Sequence, residues 1–188
     1  RGLPEESREM KAIVAYMGWL GQAAPEKIMG QGTPPFDYPN RKADLQNGEE
    51  VYKVYCQTCH GMDGSGYRSR SEAENGNYVA PPLWGENSYN NGAGMHRLLT
   101  AGAFTMGNMP LGTPWRHPVI SAEQAYDVAA FFNTFDRPVK ENLEKDYPDL
   151  SKKPVDCPYP PYADDFPQEQ HKYGPFQPIK EYYKRQRQ

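Results

Sequence analysis

The spacing of apolar residues along the chain predicts a few helices separated by long irregular stretches, and nowhere does it alternate as a strand would. In SREMKAIVAYMGWLG, Met10, Ile13, Val14, Met17 and Leu20 recur at helical spacing behind a possible N-cap at Ser7, and Gly21 can close the helix. Pro25, Pro34, Pro35 and Pro39 then rule out regular structure of any length, so that stretch reads as a linker. A short helix through Glu49, Glu50, Val51, Tyr52, Val54 and Tyr55 follows, with Asn47 as its expected cap and both acids in the first turn, where they suit the helix dipole. Turn formers dominate from residue 61 to 94, which is expected to run as loop, and Met95 to Phe104 is expected to be a short helix. In SAEQAYDVAAFFNTF, Ser121 and Gln124 make a capping box ahead of Val128, Ala129, Phe131, Phe132 and Phe135, and Pro138 marks the end. Beyond it, prolines at 148, 154, 158, 160, 161, 167, 175 and 178 predict a coil that wraps the domain or is partly disordered.

The first and the best helix share a pattern. Ser7, Glu9, Val14 and Ala15 align with Ser121, Glu123, Val128 and Ala129. Either amphipathic helices simply look alike, or residues 1–24 are the last helix of a preceding domain of the same kind.

Composition narrows the functional classes. At 188 residues the chain can form one ordinary domain with long extensions. Mean hydropathy is −0.90 and no apolar run approaches the roughly 18 residues that span a bilayer, so no membrane helix is expected. The net charge of −3 is scattered, and without a basic face nothing points to nucleic acid. Nineteen prolines, seventeen glycines and fourteen tyrosines predict an irregular fold whose loops pack around something, and a bound cofactor would supply it.

The chemistry concentrates in VYKVYCQTCHGMDG, where Cys56, Cys59 and His60 stand as C-x-x-C-H. A zinc site would need four ligands, and only Cys157 and distant histidines remain. A thioredoxin-like dithiol would follow a strand, whereas the residues before Cys56 read as helix. Covalent haem needs nothing more: two thiols two residues apart can form thioethers to the two vinyl groups, and His60 then serves as proximal iron ligand. The iron's other ligand is expected to be Met109 in GNMPLGTPW, where Pro110 stiffens the backbone and Gly107 and Gly112 permit close approach to a flat ring. Met62, Met95 and Met106 read as packing or surface methionines, His96 and His117 read as surface or hydrogen-bonding histidines, and His171 falls in the tail, although any of the three histidines could displace Met109.

This order of helix, C-x-x-C-H, glycine-rich loop, Met-Pro loop and closing aromatic helix resembles the class I cytochrome c family over about residues 43–137. In that family a glycine and an aromatic on the first helix pack against an aromatic on the last, and Gly48, Tyr52 and Phe131 or Phe132 occupy the matching places. Outside the core, SREMKAIVAYMGWL, NMPLGTPW, CPYPPYADDF and YGPFQPI resemble the second haem domain of dihaem thiosulfate dehydrogenases of the TsdA type. The resemblance implies an all-α fold divided as follows: residues 1–24 the last helix of an absent haem domain, 25–42 a linker, 43–137 the haem domain, and 138–188 a proline-rich wrapping tail.

It further implies one covalent haem c and electron transfer during the periplasmic oxidation of thiosulfate to tetrathionate. The implied partners are a preceding haem domain or catalytic subunit and a soluble c-type cytochrome or similar acceptor. The substrate site of that family belongs to the first haem, so no catalytic residue is expected in this chain; without a first-haem domain the alternative is a stand-alone monohaem carrier. Some relatives exchange a lysine just before the methionine with the sulfur, and Asn108 in that place implies no such switch. Cys157 is expected to pair with a cysteine on the absent domain or to be a buried free thiol. The opening RGLPEES lacks an apolar leader, which export processing or truncation is expected to have removed.

Overall fold

The computed structural model describes residues 3–22, 36–68, 78–113 and 116–186. The chain divides into two compact units, residues 1–33 and 34–188. The first contains α1 (Arg8–Gly21), whose cap is the expected one: Ser7 Oγ accepts from the Met10 amide at 3.2 Å. The apolar side chains Ile13, Val14, Met17 and Leu20 are exposed on it. The stretch expected to be linker lies outside the described residues as far as residue 35.

The second unit is helical. Among the described residues it contains α2 (Leu45–Tyr55), α3 (Gln57–His60), α4 (Leu98–Asn108), α5 (Ala122–Phe132), α6 (Gln168–Tyr173) and α7 (Gln177–Gln186), and short 3₁₀ turns at Gly94–His96, Leu143–Lys145 and Leu150–Lys152. Among the described residues no strand forms; Tyr67 and Ala80 make one isolated antiparallel bridge. Buried on both sides, α5 is the centre. Ala125, Val128, Ala129 and Phe132 join Val51, Tyr52, Ala101, Met106 and Ile120 in one apolar cluster, while Tyr126 and Ala130 join Leu98, Phe176 and Ile179 in another. The capping box at Ser121 and Gln124 forms as the spacing predicts, with bonds of 3.1 and 3.0 Å.

The crossing of α2 over α5 is set by Gly48. A Cβ there would stand 2.2 Å from the Asp127 carbonyl oxygen and 2.8 Å from Phe131 Cβ, so only a glycine lets the two backbones come so close. One turn later Tyr52 lies with its ring centroid 5.6 Å from that of Phe131, which identifies Phe131 as the aromatic partner on the closing helix. Asp127 fastens the same crossing. Its carboxylate has no exposed surface and accepts from both Arg41 Nη atoms at 2.8 Å, from Asn47 Nδ2 at 2.8 Å and from the Asp44 amide at 2.9 Å, which fills its acceptor capacity. The hydrogen bonds from Arg41 to Asp127, and secondarily to Glu123, hold the guanidinium pKa above its ordinary value.

Three helical expectations shift. Asp44 rather than Asn47 caps α2, accepting from the Gln46 and Asn47 amides, because Asn47 is spent on Asp127. Glu49 and Glu50 consequently fall in the second turn, where both pair with Lys53 at 2.9 Å. The helix expected over Met95 to Phe104 is interrupted at Arg97 and runs on to Asn108. Phe36 and Tyr38, from the end of the expected linker, pack onto the domain; Tyr38 stacks on Tyr126 at 5.9 Å.

The proline-rich tail is structured well beyond a coil, since the connection between α6 and α7 carries Phe176, and α7 carries Ile179, into the second cluster. Lys153 is 7% exposed, donates to the Tyr159 and Pro161 carbonyls, and lies over the rings of Tyr147, Tyr159 and Tyr162. His171 stacks on Tyr162 at 3.7 Å, and both its ring nitrogens face acceptors, Val155 O at 2.8 Å and Asp164 Oδ1 at 3.0 Å. Periodicity could not reveal these contacts because Lys153 and the partners of both residues lie on irregular backbone.

Gly→Ala in an open helix stabilises by about 1 kcal/mol. At Gly48 the sign is expected to reverse, with Gly48→Ala lowering unfolding free energy by about 1–3 kcal/mol as α2 is pushed off α5. Denaturant titration checks this; a stabilised variant contradicts the close crossing.

Candidate haem site

The C-x-x-C-H segment hangs directly from α2. Cys56 is both the C-cap of α2 and the N-cap of α3, its amide donating to Tyr52 O at 2.9 Å, and α3 carries Cys59 and His60 in a single turn. Rotation of that turn is limited from both sides. Tyr52 Oη donates to Gly61 O at 2.7 Å, and Gly61 and Gly64 take positive φ values of 81° and 66° as the chain leaves the motif. A side chain on Gly64 would meet the Trp84 indole, with Cβ only 2.2 Å away. Trp84 in turn packs on Tyr52 at 5.1 Å and on Phe135 at 4.3 Å, so the aromatic cluster behind the motif is continuous with the α2–α5 crossing.

The donor set fits a covalently held haem. His60 is 8% exposed and its Nδ1 lies 2.7 Å from Pro81 O, an arrangement in which Nδ1–H donates and the Nε2 lone pair is left for a metal. Cys56 and Cys59 are unpaired, the first buried and the second exposed. Burial, with Cys59 beside it, pushes the Cys56 thiol up to about 11, the reverse of the depressed value that a redox dithiol needs. Among the described residues no group of three or more His, Cys, Asp or Glu could hold a metal ion.

The candidate sulfurs differ in their surroundings. Met109 is the C-cap of α4, half-buried, with its amide donating to Thr105 O at 2.9 Å. Met106 is 5% exposed within the first apolar cluster and Met95 packs against that cluster, while Met62 is 87% exposed. His171 has both nitrogens engaged inside the tail, His117 is exposed, and His96 Nδ1 bonds Asn91 O at 2.8 Å. Burial lowers the His96 imidazole to about 4, a weaker base than an ordinary histidine. Asn108 is exposed and bonds back to Phe104 O at 3.0 Å. Cys157 has no exposed surface and makes no disulfide with the other two cysteines of this chain. Sequence reasoning missed Pro81, because a backbone carbonyl acceptor has no side-chain signature.

Comparison with known proteins agrees with this geometry. The family described as "Cytochrome C oxidase, cbb3-type, subunit III" matches residues 43–132. The chain is 39% identical over 140 residues to a thiosulfate dehydrogenase of Stutzerimonas stutzeri, covering 73% of this chain and 43% of that protein. It is 42% identical over 129 residues to a thiosulfate dehydrogenase of Allochromatium vinosum, covering 68% and 45% respectively. A solved structure of thiosulfate dehydrogenase (TsdBA) from Marichromatium purpuratum, in its as-isolated form, superposes with a TM-score of 0.61 at 36% identity, covering 76% of this chain and 29% of that one. The chain therefore spans less than half the length of the curated relatives it matches. Helices packed in this order around a C-x-x-C-H turn, with relatives that share one name, make the chain an electron-transferring haem c domain of the type found in thiosulfate dehydrogenases.

Proposed function

We propose that this chain is the second-haem part of a periplasmic thiosulfate dehydrogenase, passing on electrons drawn from thiosulfate rather than oxidising thiosulfate itself. The observation that carries the reading is the His60–Pro81 hydrogen bond on a turn that also presents Cys56 and Cys59. Cys56 and Cys59 would anchor the ring through thioethers, His60 Nε2 would be the proximal ligand, and Met109 the distal one. Bound there, haem c supplies a one-electron couple at its iron. The chain's own contribution is to orient and to insulate. Pro81 O fixes the imidazole tautomer and raises its basicity, and a thioether sulfur from Met109 would favour a high potential. The apolar cluster of α2, α4 and α5 excludes water, which limits reorganisation as charge changes.

The exposed apolar side chains of α1, and the share of its relatives' length that the chain covers, support a further haem domain as its partner. Among the described residues no helix is long and apolar enough to cross a membrane, which is compatible with a periplasmic site and a soluble electron acceptor.

Produced with haem-maturation machinery, the chain should stay red after acid-acetone extraction, and Cys56→Ala with Cys59→Ala should lose the colour; retention by the double variant would refute the attachment. In the oxidised protein Met109→Ala should abolish the weak sulfur-to-iron band at the red end of the visible spectrum and lower the potential, with Met106→Ala leaving the band in place. The opposite pattern would move the ligand to Met106. The haem-loaded chain should accept electrons from a reduced donor yet form no tetrathionate. Thiosulfate turnover of about one per second or more would put the active site within these residues.

A further inference from the structure

The tail reaches the opposite end of the helix that carries Met109. Arg97, at the N-cap of α4, gives no side-chain cap, and LLTAGAFTMGN contains two glycines and two threonines, a weak helix former left to itself. The missing cap comes from 57 residues downstream of the first turn: Asp156 Oδ2 accepts from the Leu99 amide at 3.0 Å, and Oδ1 accepts from Arg97 Nε at 3.0 Å. Asp156 is 1% exposed, so its charge is balanced by Arg97 and by the positive end of the helix rather than by water. The carboxylate is itself held in a segment bracketed by the caged Lys153 and buried Cys157.

We infer that Asp156 is a positioning residue for the distal ligand, acting through α4. The inference rests on Met109 as that ligand. About 16 Å of helix separate the capped first turn from the Met109 end. Packing on α5 holds the middle of α4, where Ala101 and Gly102 are buried, and Asp156 holds its start, so the position of the last turn is fixed by two constraints along one rigid element. Without the cap the first turn frays, Arg97 loses its partner, and α4 can shift along α5, which loosens the turn that presents the sulfur. The tail is thus part of the ligation machinery of the domain it covers.

The test is imidazole binding to the oxidised haem-loaded chain, followed by loss of the sulfur-to-iron band. An external ligand binds only the fraction of molecules with the sulfur detached, so its apparent affinity reports that fraction. Removing a capping carboxylate should raise the affinity about fivefold or more in Asp156→Ala. Asp156→Asn keeps an acceptor for the Leu99 amide and should give a smaller rise, and it carries the test should the alanine variant not accumulate. Tyr183→Phe removes a tail hydrogen bond to Asp164 that does not touch α4, and should leave the affinity unchanged. Unchanged affinity in both Asp156 variants, or an equal rise in Tyr183→Phe, overturns the inference. Persistence of the band in Met109→Ala would instead overturn the ligand assignment, and this inference with it.

Discussion

The approach of α2 to α5 at Gly48 is the constraint on which the remaining geometry depends. Because the two backbones nearly touch there, α2 has one direction across α5, and its last turn releases Cys56 at one place beside the apolar cluster. Tyr52 extends the contact to Phe131 and Trp84 and, through its hydroxyl, to Gly61 beyond the motif. The C-x-x-C-H turn therefore inherits its orientation from a helix crossing that lies outside the motif. Asp127 secures that crossing from beneath, and since its acceptors are filled by Arg41, Asp44 and Asn47, loss of the carboxylate would leave the Asp44 amide and the Asn47 side chain without their acceptor and Arg41 with Glu123 as its remaining carboxylate.

A second layer of control comes from the tail. The prolines beyond residue 138 confine regular backbone hydrogen bonding in that segment to short helices and turns. Aromatic rings, one caged lysine and engaged aspartates, Asp156 and Asp164 among them, hold the rest. The result is that Asp156 sits at the start of α4 while Met109 sits at its end, so the tail and the Met109 turn are joined through one helix.

Much of the site was legible in the residues themselves. C-x-x-C-H is short-range, with each functional atom within five residues of the next, and the capping box at Ser121 is equally local. Gly48 and Phe131 could be anticipated only through a family resemblance, because the contact between them spans more than eighty residues. The start of α2 and the break at Arg97 escaped for the same reason: Asn47 and Asp156 are committed to long-range partners that local propensity does not see. His171 reads as a polar tail residue, yet it is 1% exposed, because two acceptors and a stacked Tyr162 compensate its burial.

The most direct measurement is proton magnetic resonance of the reduced, haem-loaded chain. A methionine methyl bound to haem iron lies over the ring and is shifted far upfield by its current. The account predicts one such three-proton signal, assigned by selective labelling to Met109, together with shifted imidazole protons from His60. No upfield methyl, or one belonging to Met106, would contradict it.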